Sequence, residues 1–237
     1  MHFGHKTSRW HPKMAPFIFG ARSDVHIIDL EKTQTMMQDA LEFLKGVAAR
    51  GGLVLFVGSK SQAKSIVRKY AEQVGMPYVT ERWLGGTLTN FAQIKKSLKR
   101  LKTLREQMEK GELRKYTKKE RLLLQRELND LEKKIGGIQN LERLPEAVFV
   151  IDIRTEKTAV AEAYDTKTKV VATCDSNVNP SKVDYIIPAN DDAVKSIEMI
   201  CHLAAEAIEE GKRTPVVAPE KTEKNIKPVA AAKPPAA

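Results

Sequence analysis

Short apolar runs alternate with amphipathic stretches along most of this chain. Residues 53–57 and 147–151 are continuously apolar, which is typical of strands buried on both faces of a parallel sheet. Residues 33–50 and 191–210 instead repeat apolar positions at helical spacing, and a glycine follows each of them as an expected stop. The other predicted elements are strands at 25–30, 77–80, 169–173 and 185–187 and helices at 61–74 and 158–164. Strands that alternate with helices predict an α/β fold with a doubly wound parallel sheet.

A different pattern interrupts this alternation at residues 91–137. Large aliphatic residues there follow two heptad-like runs, which predicts two antiparallel helices of about 18 residues each in an inserted coiled-coil hairpin. The runs are Ile94, Leu98, Leu101, Leu104 and Met108, then Leu124, Leu128, Leu131 and Ile135. We interpret these residues as the core of the hairpin, and we expect the chain to reverse between Gly111 and Thr117.

The net charge of +10 is concentrated in three segments. Residues 1–22 carry four Lys/Arg and no acid, residues 95–134 carry fifteen against seven acids, and residues 212–233 carry six against two. The remaining residues carry twenty-one acids and only fifteen bases. An acidic body with clustered positive segments predicts a polyanionic partner, because charge needed only for solubility is spread evenly.

These patterns divide the chain into four parts. Residues 1–22 form a basic N-terminal segment, 23–90 with 138–211 the sheet domain, 91–137 the hairpin insertion and 212–237 a tail predicted to be disordered. Apolar runs stay far below the roughly 20 residues of a membrane span, and the polar N-terminus does not fit a signal peptide. Cys174 and Cys201 show neither metal nor disulfide spacing, which favours a reducing cytoplasm.

The turn Gly58-Ser59-Lys60 raises the question of a phosphate-binding loop. A nucleotide triphosphatase needs G-x-x-x-x-G-K-[ST], but Val54 and Ser59 stand where the two glycines would be. We therefore favour a plain strand-turn-helix, with contact to a single phosphate at the helix start as the remaining possibility.

Catalytic and metal motifs are not recognisable, so the sequence predicts no enzyme, no cofactor and no metal. His2, His5 and His11 fit no standard metal spacing and lie among cations. Residues 81–91 and 175–180 follow strand ends, where α/β sheets bind ligands. They support the main alternative, a phosphate-ligand-binding α/β enzyme or sensor. A coiled-coil adaptor for a protein partner is a third hypothesis, but it predicts a hairpin of mixed charge.

Several longer motifs resemble one known family. They include "LFVGSK", "RWLGGTLTNF", "LPEAVFVID" and "VDYIIPANDDA". Together they resemble the bacterial-type second protein of the small ribosomal subunit (the "S-two" family), in order and over nearly all of residues 2–211. Thr87 stands where the family commonly has Met, and "DSNVNP" replaces D-T-N-x-D-P. Members normally carry a short leading helix before the position where this sequence begins.

The resemblance implies a fold, a function and partners. The fold is a flavodoxin/Rossmann-like α/β domain with an inserted coiled-coil hairpin, without catalytic activity or a cofactor. The implied partners are small-subunit ribosomal RNA and neighbouring small-subunit proteins, including the large first protein, whose attachment this protein helps. Neither a membrane nor a small-molecule substrate is implied, and the expected location is cytoplasmic and ribosome-bound.

The expected RNA contacts are cations of the basic segments and one aromatic side chain. Cations would neutralise phosphates and release counterions, and the aromatic ring would stack on a base. These residues are Lys6, Arg9, Trp10, Lys13, Arg22, Arg82, Lys95, Lys96, Lys99, Arg100, Lys102, Lys118 and Lys119.

Overall fold

A computed structural model describes residues 1–111 and 116–214. The strands in this part are β1 (Phe3–Lys6), β2 (Ile18–Arg22), β3 (Val25–Ile28), β4 (Val54–Val57), β5 (Tyr78–Val79), β6 (Ala147–Val150), β7 (Lys169–Cys174) and β8 (Tyr185–Pro188). The helices are α1 (Leu30–Ala49), α2 (Lys64–Gln73), α3 (Phe91–Glu109), α4 (Lys118–Ile135), α5 (Lys157–Asp165) and α6 (Val194–Arg213). None of the helices described is long and apolar enough to cross a membrane.

Five strands form the central sheet, in the order β5-β4-β6-β7-β8, and every neighbouring pair is parallel. The predicted α/β fold with a parallel sheet is therefore confirmed. Counted along the chain this order is 2-1-3-4-5, which flavodoxin-type sheets share. In such sheets the ligand crevice lies where the order reverses, here at the carboxyl ends of β4 and β6.

Both faces of the central sheet are covered by helices. In β4, Val54 and Phe56 face a core formed with α1, α2 and α6, while Leu55 and Val57 face a second core with α3, α4 and α5. All four β4 residues are fully buried. This two-sided burial explains why β4 and β6 are continuously apolar in sequence.

The N-terminus forms a separate small sheet. β1, β2 and β3 are antiparallel, in the order β1-β3-β2. The strand predicted at 25–30 is thus β3, at the centre of this small sheet. The domain boundary predicted after residue 22 falls between β2 and β3 and so divides the sheet. The chain approaches the body closely here, since a Cβ at Gly4 would lie 2.9 Å from Ser176 Oγ. Residues 1–28 and the α/β body therefore fit together through specific contacts.

Helices α3 and α4 pack against each other and against the second core. Leu98, Leu101 and Leu104 of α3 and Leu128 of α4 are buried. Thr117 and Glu120 form a capping box at the start of α4, which fixes where that helix begins. The predicted reversal between α3 and α4 falls largely on residues 112–115, outside the described residues.

Helix α6 differs from its prediction at both ends. It begins at Val194 rather than residue 191, because the Asn190 side chain accepts hydrogen bonds from the N–H groups of Asp192 and Ala193 and holds them in a turn. Gly211 does not stop the helix, which continues to Arg213. A Cβ at Gly211 would overlap the Lys45 carbonyl oxygen of α1, so this glycine permits close helix packing. Most of the predicted tail, residues 215–237, lies outside the described part.

Gly211→Ala should destabilise the fold. Because the added methyl overlaps the α1 backbone, we expect the free energy of unfolding to fall by about 1–3 kcal/mol. Gly46→Ala is the matched control, since a Cβ there meets only Arg50 Nη1 at 3.7 Å. That change should instead raise stability by about 0.5–1 kcal/mol. Urea unfolding of the three proteins measures both effects, and equal stabilities would contradict this role of Gly211.

Candidate nucleic-acid interface

The crevice at the end of β4 is occupied by the chain's own charges. Lys60 Nζ lies 2.8 Å from Asp191 Oδ1, 2.6 Å from Asp192 Oδ1 and 3.3 Å from Asp152 Oδ2. The Ser59 backbone N–H donates to Glu156 Oε1 at 2.8 Å. The groups that could have held a phosphate are thus already paired with carboxylates. The remaining possibility of a phosphate at the start of this helix is not supported.

Burial, hydrogen bonds and neighbouring charges shift the pKa values of Lys60 and Asp191. Burial would lower the pKa of Lys60, but hydrogen bonds to Asp191 and Asp192 outweigh it and the pKa is raised. Burial, and then the charge of Asp152, raises the pKa of Asp191 to about 7, although the hydrogen bond from Lys60 opposes this. Lys60 therefore stays charged and committed to its carboxylates near neutral pH.

The loop of residues 81–91 surrounds a second buried carboxylate. Glu162 of α5 accepts hydrogen bonds from Trp83 Nε1 at 3.0 Å and from the backbone N–H groups of Gly86, Leu88 and Thr89 at 2.8–3.2 Å. Burial alone would raise the pKa of Glu162, but these donors, led by the Trp83 indole, lower it. The loop's donors are used internally, which argues against an anionic ligand there.

Sequence reasoning missed Glu162. The available signal of its burial was its position between Ala161 and Ala163, in a helix that also buries Ala159 and Val160. A buried acid in such a place needs donors. Nothing in the local sequence shows that those donors come from a loop more than seventy residues earlier.

The histidines of the N-terminal segment attach it to the body and do not gather into a metal site. The His5 backbone N–H donates to Ser176 Oγ at 2.9 Å, and His5 Nδ1 lies 3.2 Å from Asp175 Oδ2. The His11 N–H donates to the Ser176 carbonyl at 2.8 Å. Within residues 1–111 and 116–214, no three His, Cys, Asp or Glu side chains are grouped to hold a metal.

The predicted contact residues of the N-terminal half are all exposed. Lys6, Arg9, Arg22 and Arg82 make no ion pair with any described residue. Lys13 Nζ donates to Ser181 Oγ at 2.5 Å, which fixes its position against the loop after β7. Trp10 is 41% exposed, and its ring centroid lies 5.4 Å from that of His26. These side chains are free to meet a partner on a segment held in place.

The predicted cations of α3 form a continuous exposed surface. Lys95, Lys99 and Lys102 follow i, i+4, i+7 spacing and so share one face of the helix, with Lys96 beside them. None of these four lysines pairs with a carboxylate in the described part of the chain. Like charges at this spacing destabilise a helix. An external anion at this face would offset the repulsion.

Arg100 and the α4 lysines differ in their surroundings. Arg100 donates to both carboxylate oxygens of Glu127, at 3.0 and 3.1 Å, so its charge is largely neutralised within the chain. Lys118 and Lys119 are exposed in the first turn of α4, without a carboxylate partner among the described residues. Cations are unfavourable at a helix N-terminus because of the helix dipole. Both lysines are therefore candidates for binding an anion.

The comparison with protein families supports one of these interpretations directly. A family model described as ribosomal protein S2 matches residues 1–211. This range includes both sheets and every residue predicted above to contact RNA. The resemblance inferred from the motifs is thereby confirmed.

The Asp191 carboxyl should impose a pH dependence on stability. Its pKa is about 7 in the folded protein against 3.8 ordinarily, so the folded state holds an extra proton between these values. The free energy of unfolding should therefore fall as pH rises through this window, relative to Asp191→Asn, which cannot titrate. From about pH 4 to about pH 7.5 we expect a relative loss on the order of 4 kcal/mol. Urea unfolding at several pH values measures it. Asp39 is exposed, so Asp39→Asn should show the same pH dependence of stability as the wild type. If Asp191→Asn shows that same dependence, the raised pKa of Asp191 is contradicted.

Glu162→Gln should loosen the 81–91 loop. An amide replaces one acceptor oxygen by a donor that faces other donors, so we expect a loss of about 2–3 kcal/mol in the free energy of unfolding. The exposed Glu42→Gln is the control and should change stability little. In a Trp10→Phe background, tryptophan fluorescence reports the environment of Trp83 alone. An unchanged spectrum together with unchanged stability would show that Glu162 does not hold the loop.

Proposed function

This chain belongs to the ribosomal protein S2 family, whose members are structural proteins of the small ribosomal subunit and serve translation, and we propose that the chain binds small-subunit ribosomal RNA through two cationic surfaces. Ribosomal proteins of this kind are generally not enzymes. The N-terminal surface consists of Lys6, Arg9, Trp10, Lys13 and Arg22. The helical surface consists of Lys95, Lys96, Lys99, Lys102, Lys118 and Lys119. Arg82 adds positive charge outside these two sets, whereas Arg100 is paired with Glu127 and contributes less.

The observation that carries this proposal is the unpaired row of lysines on α3. Acids are available nearby, but Glu127 and Glu132 of α4 pair with Arg100 and Arg105. The lysine ammonium groups are left to the outside, where phosphates can replace their counterions. Binding of this type is steeply salt-dependent and largely independent of sequence.

We propose that α3 and α4 form the antiparallel coiled-coil hairpin that presents the helical surface. The heptad core positions a and d are taken by Leu101, Leu104, Leu128 and Leu131. Arg100 and Glu127 then both occupy g positions, and Arg105 and Glu132 both occupy e positions. Their ion pairs at 3.0 and 2.6 Å support an antiparallel arrangement, because there the g flank of one helix faces the g flank of the other.

RNA shape would supply most of the specificity. Side chains cannot read the deep major groove of A-form RNA, so contacts to phosphates, 2′-hydroxyls and unpaired bases decide where the protein binds. The exposed ring of Trp10 offers one such stacking contact. The family resemblance adds two further points to the proposal. The protein would support attachment of the large first protein of the small subunit, and it would be cytoplasmic and ribosome-bound.

Charge removal on α3 tests the helical surface. Lys95→Gln/Lys99→Gln should weaken binding to small-subunit ribosomal RNA, and the slope of log K against log salt should become shallower by about 2, one unit per lost phosphate contact. Filter binding at several salt concentrations measures affinity and slope together. The fold should be as stable as before or more so, because like-charge repulsion is relieved.

Arg50→Gln/Lys195→Gln is the matched control for this experiment. It removes two exposed positive charges, Arg50 at the end of α1 and Lys195 on α6. Neither makes an ion pair with a described residue. The control should keep the wild-type slope. Equal slopes for wild type and the α3 variant would show that the helical surface does not contact RNA.

A further inference from the structure

A groove of about 750 Å³ opens where β6 and β7 end. Its floor is apolar and consists of Ile153 after β6, Val160 of α5 and Val178 after β7. Each of these residues is no more than 6% exposed, so the floor is held firmly by the core. A rigid apolar floor in an open groove offers contact to a flat, weakly hydrated group.

Cations surround this floor. Arg9, Arg154, Lys157 and Lys182 line the groove, and no carboxylate is among its described lining residues. None of the four makes an ion pair within the part of the chain that the structure describes. Lys182 Nζ lies 5.2 Å from the centroid of the Tyr164 ring, which helps to keep its charge at this rim. Four unpaired cations around one groove favour an anionic occupant.

The N-terminal segment completes the rim. Arg9 reaches the groove because His11 and Lys13 are hydrogen-bonded to Ser176 and Ser181 in the segment after β7. Three separate stretches of sequence therefore meet here, which is why the four cations did not stand out as a cluster in the sequence. The groove differs from the crevice at Lys60, where carboxylates have taken the place of a ligand.

We propose that this groove holds an unpaired nucleotide of the bound RNA, with its base on the apolar floor and its flanking phosphates at the four cations. The inference rests on the proposed function, since it concerns the same RNA. The volume suits one or two nucleotides, and a base can lay its face on the floor only when it is not stacked and paired within a helix. Unpaired bases in loops and bulges can be splayed out for such contact.

Filling the groove tests the base contact without removing charge. Ala161 lines the groove and is only partly exposed, so Ala161→Trp should exclude the base and lower RNA affinity roughly tenfold with an unchanged salt slope. Thr158→Trp, exposed on the same helix and outside the lining, is the control and should bind like wild type. In a dimethyl sulfate footprint, one or two unpaired bases should be protected by wild type and by the control, and reactive with Ala161→Trp.

Removing the rim charges tests the phosphate contacts. Arg154→Gln/Lys157→Gln should lower both the affinity and the salt slope, the slope by about 2, while Arg50→Gln/Lys195→Gln leaves both unchanged. If Ala161→Trp binds and protects RNA as wild type does, or if only paired nucleotides are protected, the inference is wrong. Tight saturable binding of adenosine monophosphate by the free protein would instead assign the groove to a small ligand and overturn it as well.

The two proposals fail in different ways. If Lys95→Gln/Lys99→Gln weakens RNA binding and the groove variants do not, the inference about the groove fails and RNA binding stands. If the wild-type protein shows no salt-dependent binding to small-subunit ribosomal RNA, the proposed function itself is wrong.

Discussion

Burial of the central sheet on both faces is the constraint on which the rest of this structure depends. Every side chain of β4 and β6 is fully buried between two layers of helices. Polar groups that emerge at the ends of these strands therefore have little water nearby and need partners from the protein. Glu156, Glu162 and the aspartates around Lys60 supply those partners. The crevice between the ends of β4 and β6, where other α/β proteins bind ligands, is closed by carboxylates here.

This arrangement separates the charges of the molecule. The buried acids lie beside the strand ends and the loops that follow them, while unpaired cations lie on the N-terminal segment, on α3 and on the rim of the β6–β7 groove. An anionic ligand is repelled from the crevice and attracted to the periphery. The phosphate-ligand enzyme or sensor that the sequence left open loses support for this reason, because its expected contacts at Ser59 and Gly86 donate to carboxylates. This site keeps the fold of a ligand-binding α/β sheet without the free donors that a phosphate ligand would need.

The sequence predicted those features that depend on local periodicity. The apolar runs of β4 and β6 and the helical spacing of α1 mark elements whose burial is regular along the chain. Features that depend on distant contacts were not predictable in this way. Gly211 reads as a helix stop, yet its role comes from the α1 backbone beside it. Glu162 acts on a loop far away in sequence. The N-terminal sheet was missed because β1 is only four residues long and carries glycine and histidine in place of alternating apolar residues.

The small N-terminal sheet changes how RNA binding by this chain should be understood. A flexible basic terminus would lose conformational entropy when it ordered on a phosphate backbone, and that loss would reduce its affinity. Here β1 and β3 are paired, and His5 and His11 are hydrogen-bonded to the segment after β7, so most of this cost is met during folding. The lysines of α3, by contrast, are long exposed side chains that add a long-range field to any phosphate contact they make. A division of roles follows. Under the proposed function, the helical lysines would speed encounter with RNA in a salt-dependent way, and the preorganised N-terminal residues would determine the position in which the RNA is held.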